Sequence, residues 1–159
     1  MDAMQFQHEI RIEASSQRVW DFLWDVEQLA RCIPGCQEAT VVEPHVHYTA
    51  LVADRVGPLK LKMPLDLVVQ SSEEGRSLHV LGTGKDSSLG SSVRIDISAA
   101  LDPDGAATNL RLNVEASVSG KIAGLGMGLF KRKFDDIMTQ FGQRVKAAIE
   151  QAPAATASV

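Results

Sequence analysis

Cys32 and Cys36 stand four positions apart around Ile33-Pro34-Gly35, and they are the first residues along the chain whose type and spacing suggest chemistry. Zinc held by thiolates wants a second ligand pair, and the chain has only 2 cysteines. The spacing therefore predicts two inert, reduced thiols at a helix end, with a redox or metal role as the alternative. His45 and His47 lie two apart at a strand start, so alternation sends both to the same side. A metal would need a third ligand, and His8 and His79 are far away in sequence, so no metal site is expected. Gly120, Gly124, Gly126 and Gly128 superficially resemble a phosphate loop. They lack the Lys-Ser/Thr of a P-loop, and no strand follows to complete a dinucleotide-binding unit. Those glycines are expected to let a helix start pass close to a sheet, or to leave room at a cavity mouth. They also lower local stability, so a mobile gate is a further reading.

No nucleophile and base stand together. There is no Gly-x-Ser-x-Gly, and no histidine follows His79. Asp66 and Asp96 fall on the polar phase of alternating strands, which predicts a solvated outer face rather than catalytic acids. No catalytic residue is expected. Lys121, Lys131, Arg132 and Lys133 gather beside Leu125, Met127, Leu129 and Phe130. Such a group is either a solvated face or a contact for an anionic membrane surface or an acidic partner.

Composition limits the function classes. The chain has 159 residues, a net charge of −4 and 23% charged residues. One domain is expected, over residues 4–150, with 151–159 as a flexible tail. The acidic balance argues against a nucleic-acid groove. No apolar run approaches the length of a bilayer span, and Met1–Gln5 lacks the basic and apolar regions of a signal peptide. With so few cysteines, a cytoplasmic location is expected.

The elements that must position these residues follow from periodicity. Phe6, His8, Ile10 and Ile12 alternate with polar residues, which predicts a first strand. Ser15 or Ser16 caps a short helix carrying Val19, Trp20, Phe22, Leu23, Trp24 and Val26. A second short helix near Glu27–Cys32 ends at Pro34-Gly35. Strands follow at Thr40–Val42, Val46–Arg55, Leu59–Val69, Leu78–Thr83, Val93–Leu101 and Leu110–Val118. Pro64 predicts an edge or a bulge, and Asp102-Pro103-Asp104-Gly105 predicts a turn. The chain closes with Phe130, Phe134, Ile137, Met138, Phe141, Val145 and Ile149 at helical spacing. A helix of up to about 30 residues would run roughly 45 Å, along a whole sheet. The order predicts an α+β fold: a seven-stranded antiparallel curved sheet wrapped round a long C-terminal helix, with two short helices after the first strand.

Val19-Trp20, Cys32-Ile33-Pro34-Gly35-Cys36, Val56-Gly57-Pro58 and Ser119-Gly120-Lys121-Ile122-Ala123-Gly124-Leu125-Gly126 lie in the order seen in the carbon monoxide dehydrogenase G-subunit (CoxG) family. The chain resembles that family over about residues 4–150. The family belongs to the SRPBCC, START and Bet v 1-like helix-grip group. The resemblance implies an accessory protein linked to maturation or membrane recruitment of molybdenum-containing carbon monoxide dehydrogenases. It also implies a cavity able to carry a quinone or similar lipid. Many members carry an additional C-terminal segment suited to membrane attachment.

A helix-grip cavity would take its lining from both layers. Inward sheet positions include Tyr48, Ala50, Met63, Leu65, Leu67, Leu112, Val114 and Ala116, and the helix offers Met127, Phe130, Phe134, Ile137 and Met138. Such a lining suits a mostly apolar ligand with one or two polar handles. The same residues packed together as a dry core are the other reading. The expectation is a non-catalytic accessory protein that binds an apolar small molecule, quinone or lipid-like, and needs no other cofactor. A molybdenum-containing carbon monoxide dehydrogenase-type enzyme is the partner that the resemblance implies, and peripheral membrane contact is a further expectation. The alternatives are a small cyclase or hydrolase of the same superfamily, or a pure protein-interaction module.

Overall fold

The computed structural model describes residues 3–86 and 90–151. Chain order is β1 (Ala3–Ile12), α1 (Ser16–Trp24), α2 (Val26–Arg31), β2 (Cys36–Glu43), β3 (His47–Val56), β4 (Leu59–Glu73), β5 (Ser77–Asp86), β6 (Ser91–Asp104), β7 (Ala107–Ser119), a 3-10 turn (Ala123–Leu125) and α3 (Met127–Gln151). Local chemistry sets the short helices. The Ser15 hydroxyl accepts the Arg18 amide at 3.3 Å and starts α1. Asp25 follows α1, and its carboxylate accepts the Gln28 amide at 3.4 Å to start α2.

The seven strands form one antiparallel sheet in the order β1-β7-β6-β5-β4-β3-β2. β1 therefore pairs with the strand farthest from it in sequence, with Phe6 opposite Val114 and Ile10 opposite Leu110. Residues opposite each other share a face. One inward row runs Phe6, Val114, Ile97, Val80, Val69 across five strands. A second runs Met4, Ala116, Ile95, Gly82, Leu67, Tyr48, Val41 across all seven.

α3 lies across the concave face and favours one half of it. Phe134 stacks on Phe6 of β1 with ring centroids 5.1 Å apart. At the far end of α3, Arg18 of α1 donates to the Ile149 carbonyl at 2.6 Å, and Glu150 accepts the Glu13 amide at 2.8 Å. Under this half the core is closed: Ile12, Val19, Leu110, Ala116 and Val145 are fully buried. Over β3 to β6 the inward side chains of Tyr48, Ala50, Val52, Leu65, Leu67, Val80, Ile95 and Ile97 stay half-exposed.

Three expectations are adjusted. The β6–β7 turn is Gly105-Ala106, because Asp102–Asp104 continue the strand and pair with Ala107–Asn109. Pro64 sits in an interior strand, paired across from Leu51 of β3, but the β4–β5 ladder begins only at Leu65 opposite Gly84. Its missing amide therefore costs no ladder bond, and the side chain of Asp86 takes the nearby Lys62 amide at 3.1 Å. α3 has 25 residues, its first turns replaced by the 3-10 segment. The 152–159 part of the expected tail lies outside the described residues.

Trp20 is 5% exposed and meets Trp24 edge-on at 5.6 Å. Trp20→Ala should cost about 3–5 kcal/mol in urea denaturation. An unchanged midpoint would contradict this placement of α1.

Candidate functional site

The half-covered part of the concave face holds an apolar cavity of about 90 Å³ beneath the N-terminal half of α3. Val52, Asp54 and Val56 of β3, Leu61, Met63 and Leu65 of β4, and Val93 and Ile95 of β6 form its sheet side. Phe130, Lys133, Phe134 and Ile137 of α3 form its roof. β5 contributes no side chain, because Gly82 and Gly84 occupy its inward positions here. A Cβ on Gly82 would stand 2.9 Å from Leu67 Cδ2, and one on Gly84 would stand 2.8 Å from Met63 Sδ. The β4 side chains thus lean across β5 where a larger residue would block them.

The expected lining residues divide along the same line. Met63, Leu65, Phe130, Phe134 and Ile137 line the cavity. Tyr48, Ala50 and Leu67 share the concave face but lie outside the cavity. Tyr48 instead accepts the His45 amide at 2.6 Å and faces Trp24 at 6.4 Å. Leu112, Val114, Ala116 and Met138 are buried in the closed core, and Met127 packs half-buried beside it at the helix start. Alternation tells which face these β7 residues point to. It does not tell which half of that face α3 covers.

Asp54 and Lys133 are site residues that motif and spacing do not single out. Asp54 falls on the inward phase of β3, between Val52 and Val56, and a charge on that apolar phase is the available sequence signal. Lys133 Nζ stands 3.1 Å from Asp54 Oδ2, joining α3 to β3 at the cavity rim. Lys133 therefore leaves the basic group, while Lys121, Lys131 and Arg132 remain exposed. On the opposite flank His8 Nε2 meets Asp135 Oδ1 at 3.4 Å. Of the four glycines near the helix start, only Gly120 is held against the sheet: it has φ 84°, and an added Cβ would collide with the Gly90 carbonyl. Gly124, Gly126 and Gly128 face open space.

The histidines do not act as the spacing predicts. His45 sits in a turn at φ 64° with its ring 4.1 Å from that of Trp24, while His47 turns outward and meets Asp66 at 2.9 Å. His79 meets Asp96 in the same diagonal manner. The two aspartates are on the outer face as expected, but each has a histidine partner there. Beside His79 a shallow outer depression of about 250 Å³ is lined by Ser71, Ser77, Ser98 and Asn113. Among the described residues no three or more of His, Cys, Asp and Glu gather as a metal site would require.

Comparison with known proteins agrees with this architecture. The family model for the G-subunit of carbon monoxide dehydrogenase (CoxG) matches residues 9–150. The chain belongs to that family. No curated protein sequence matches it. Its fold is similar to a conserved protein from Geobacillus kaustophilus, with a TM-score of 0.84 at 20% identity, covering 94% of this chain and 97% of that one. A START superfamily protein from Mycobacterium smegmatis is similar with a TM-score of 0.74 at 11% identity, covering 94% and 99%. The Zhui aromatase/cyclase from Streptomyces sp. R1128 is similar with a TM-score of 0.71 at 13% identity, covering 94% and 95%. These likenesses establish the START-like helix-grip fold. Among the described residues no helix is long and apolar enough to cross a membrane.

Both cysteines are free, Cys32 buried and Cys36 half-buried. Burial pushes both thiols above their ordinary range, so less thiolate is present at pH 8 than in an exposed cysteine. Titration of the folded protein with a disulfide reagent at pH 8 should be slow, and unfolding should release two titratable thiols. Rapid reaction before unfolding, or a single thiol afterwards, would contradict this.

Proposed function

We propose that this chain is a non-catalytic, cytoplasmic accessory protein of the CoxG type. It holds an apolar ligand, quinone or lipid-like, between α3 and the β3–β6 half of the sheet. Its partner in this reading is a molybdenum-containing carbon monoxide dehydrogenase-type enzyme, which it helps to mature or to recruit to the membrane. The observation that carries the reading is the unfilled apolar half of the concave face: a cavity walled by Val52, Leu65, Ile95 and Phe134, continuous in face with half-exposed Ala50, Leu67 and Val80. Core side chains in a closed protein are buried, as they are under the other half. The polar groups at the cavity, Asp54 and Lys133, are bound to each other, which supports a carrier over an acid–base site.

Magnitudes define what fits. The cavity of about 90 Å³ is well below the usual range of about 300–1,000 Å³ for small-molecule pockets. It takes a ring or a short stretch of chain, and the remainder of a longer ligand lies along the open apolar strip of β3 to β5. Each CH₂ buried there contributes about 0.8 kcal/mol, so a few give micromolar binding after association entropy is subtracted.

A short-chain benzoquinone should quench the fluorescence of Trp20 and Trp24 saturably. Val52→Phe and Ile95→Phe fill the cavity from half-exposed positions, so each should weaken binding by about tenfold while costing only about 1–3 kcal/mol of stability. Absence of saturable binding of quinones, fatty alcohols and fatty acids by the unaltered protein would contradict the carrier reading.

A further inference from the structure

We infer that the Asp54–Lys133 pair is a specificity-determining clasp that admits apolar ligands with an uncharged polar head and turns away apolar carboxylates. The inference rests on reading the cavity as a site for an apolar ligand. Ten of the twelve side chains that line the cavity are aliphatic, aromatic or thioether, and Asp54 and Lys133 are the exceptions. These two give their carbon stems to the wall, and their charged heads meet at the rim with Nζ 3.1 Å from Oδ2. The Asp54 side chain is 24% exposed and that of Lys133 30%, so each head is partly removed from water and depends on the other.

Both charges stand where the pattern asks for an apolar residue. Asp54 interrupts the inward row Tyr48, Ala50, Val52, Val56 of β3, and Lys133 adjoins the inward stripe Phe130, Phe134, Ile137 of α3. Two apolar side chains of similar volume would join helix and sheet at least as well, because a partly buried ion pair gives back in attraction much of what it loses in desolvation. Stability alone therefore does not account for a charge pair at this place.

Its chemistry discriminates between ligand heads. A carboxylate reaching the rim either takes Lys133 from Asp54, leaving a partly buried carboxylate without its cation, or stays beside the intact pair and is repelled by Asp54. An ammonium head meets the mirror-image difficulty with Lys133. A carbonyl or hydroxyl oxygen meets neither. The Lys133 ammonium has three N–H donors, and the hydrogens not given to Asp54 can be donated to a neutral oxygen while the pair stays intact. Among the described residues no other charged side chain lines the cavity to compensate. Asp135 is engaged with His8 on the other flank of α3, and Lys131 and Arg132 are exposed to solvent.

The test uses two ligands with the same 16-carbon tail (about 16 CH₂ or CH₃ groups in each), the fatty alcohol and the fatty acid, with binding read at pH 8 by displacement of a neutral fluorescent probe. The unaltered protein should bind the alcohol about tenfold more tightly than the acid. Asp54→Asn frees Lys133 at nearly constant shape, so acid affinity should rise about tenfold while alcohol affinity stays within about twofold. Asp54→Asn combined with Lys133→Gln removes the ammonium as well, and acid affinity should fall below that of the single variant. The double variant also separates charge from any loosening of α3, which circular dichroism follows independently. Equal affinity for alcohol and acid in the unaltered protein, unchanged in Asp54→Asn, would overturn the clasp and leave the carrier reading standing. Saturable binding of neither ligand by any of the three proteins would overturn both.

Discussion

One helix has to cover a seven-stranded sheet. A helix with its side chains is about 10–12 Å across, while seven strands spaced about 4.8 Å apart span about 29 Å. Curvature narrows the mismatch but does not remove it. α3 resolves it by siding with β1, where Phe134 stacks on Phe6 and Glu150 ties the helix end to Glu13. Leu110, Leu112, Val114 and Ala116 beneath it close into a dry core. The apolar side chains of β3 to β5 are left with less cover, and the cavity follows from that geometry rather than from any special motif.

Three other features make the uncovered half a cavity instead of a collapsed one. Gly82 and Gly84 remove the β5 side chains, and Leu65, Leu67 and Met63 of β4 lean into the space that this opens. α1 and α2 cap the opposite end of the sheet, where Trp20, Trp24, His45 and Tyr48 form a chain of ring contacts. The Asp54–Lys133 pair then fastens the roof to β3 at the rim. The result is an apolar hollow with a rigid wall on the β7 side and a charged fastening on the β3 side. That asymmetry gives a ligand a preferred direction for its polar end.

Much of this is legible in the residues. Alternation locates all seven strands, Ser15 marks the first helix, and the three-and-four spacing from Phe130 to Ile149 marks the last. The Cys-Ile-Pro-Gly-Cys step and the glycine-rich approach to α3 carry the resemblance to the family whose model matches residues 9–150. What stays hidden depends on sideways relations between strands. Leu112 and Leu65 have the same inward phase, and only the lateral position of α3 puts one in the core and the other in the cavity. The diagonal contacts of His47 with Asp66 and of His79 with Asp96 depend on register, which alternation within a single strand does not contain. Asp54 is visible as a charge on an apolar phase, but its partner lies 79 positions away on a different element. Pro64 looks like an edge signal because a single strand does not reveal where its neighbour's ladder begins.

Ligand binding by this fold turns on which half of the concave face is open, and methyl-resolved NMR during titration with a short-chain benzoquinone tests that most directly. The methyl signals of Val52, Leu65, Leu67, Ile95 and Ile137 should move together and saturate, while those of Leu110, Leu112 and Val114 stay in place. Saturating shifts confined to Leu110, Leu112 and Val114, or no shifts at all, would contradict it.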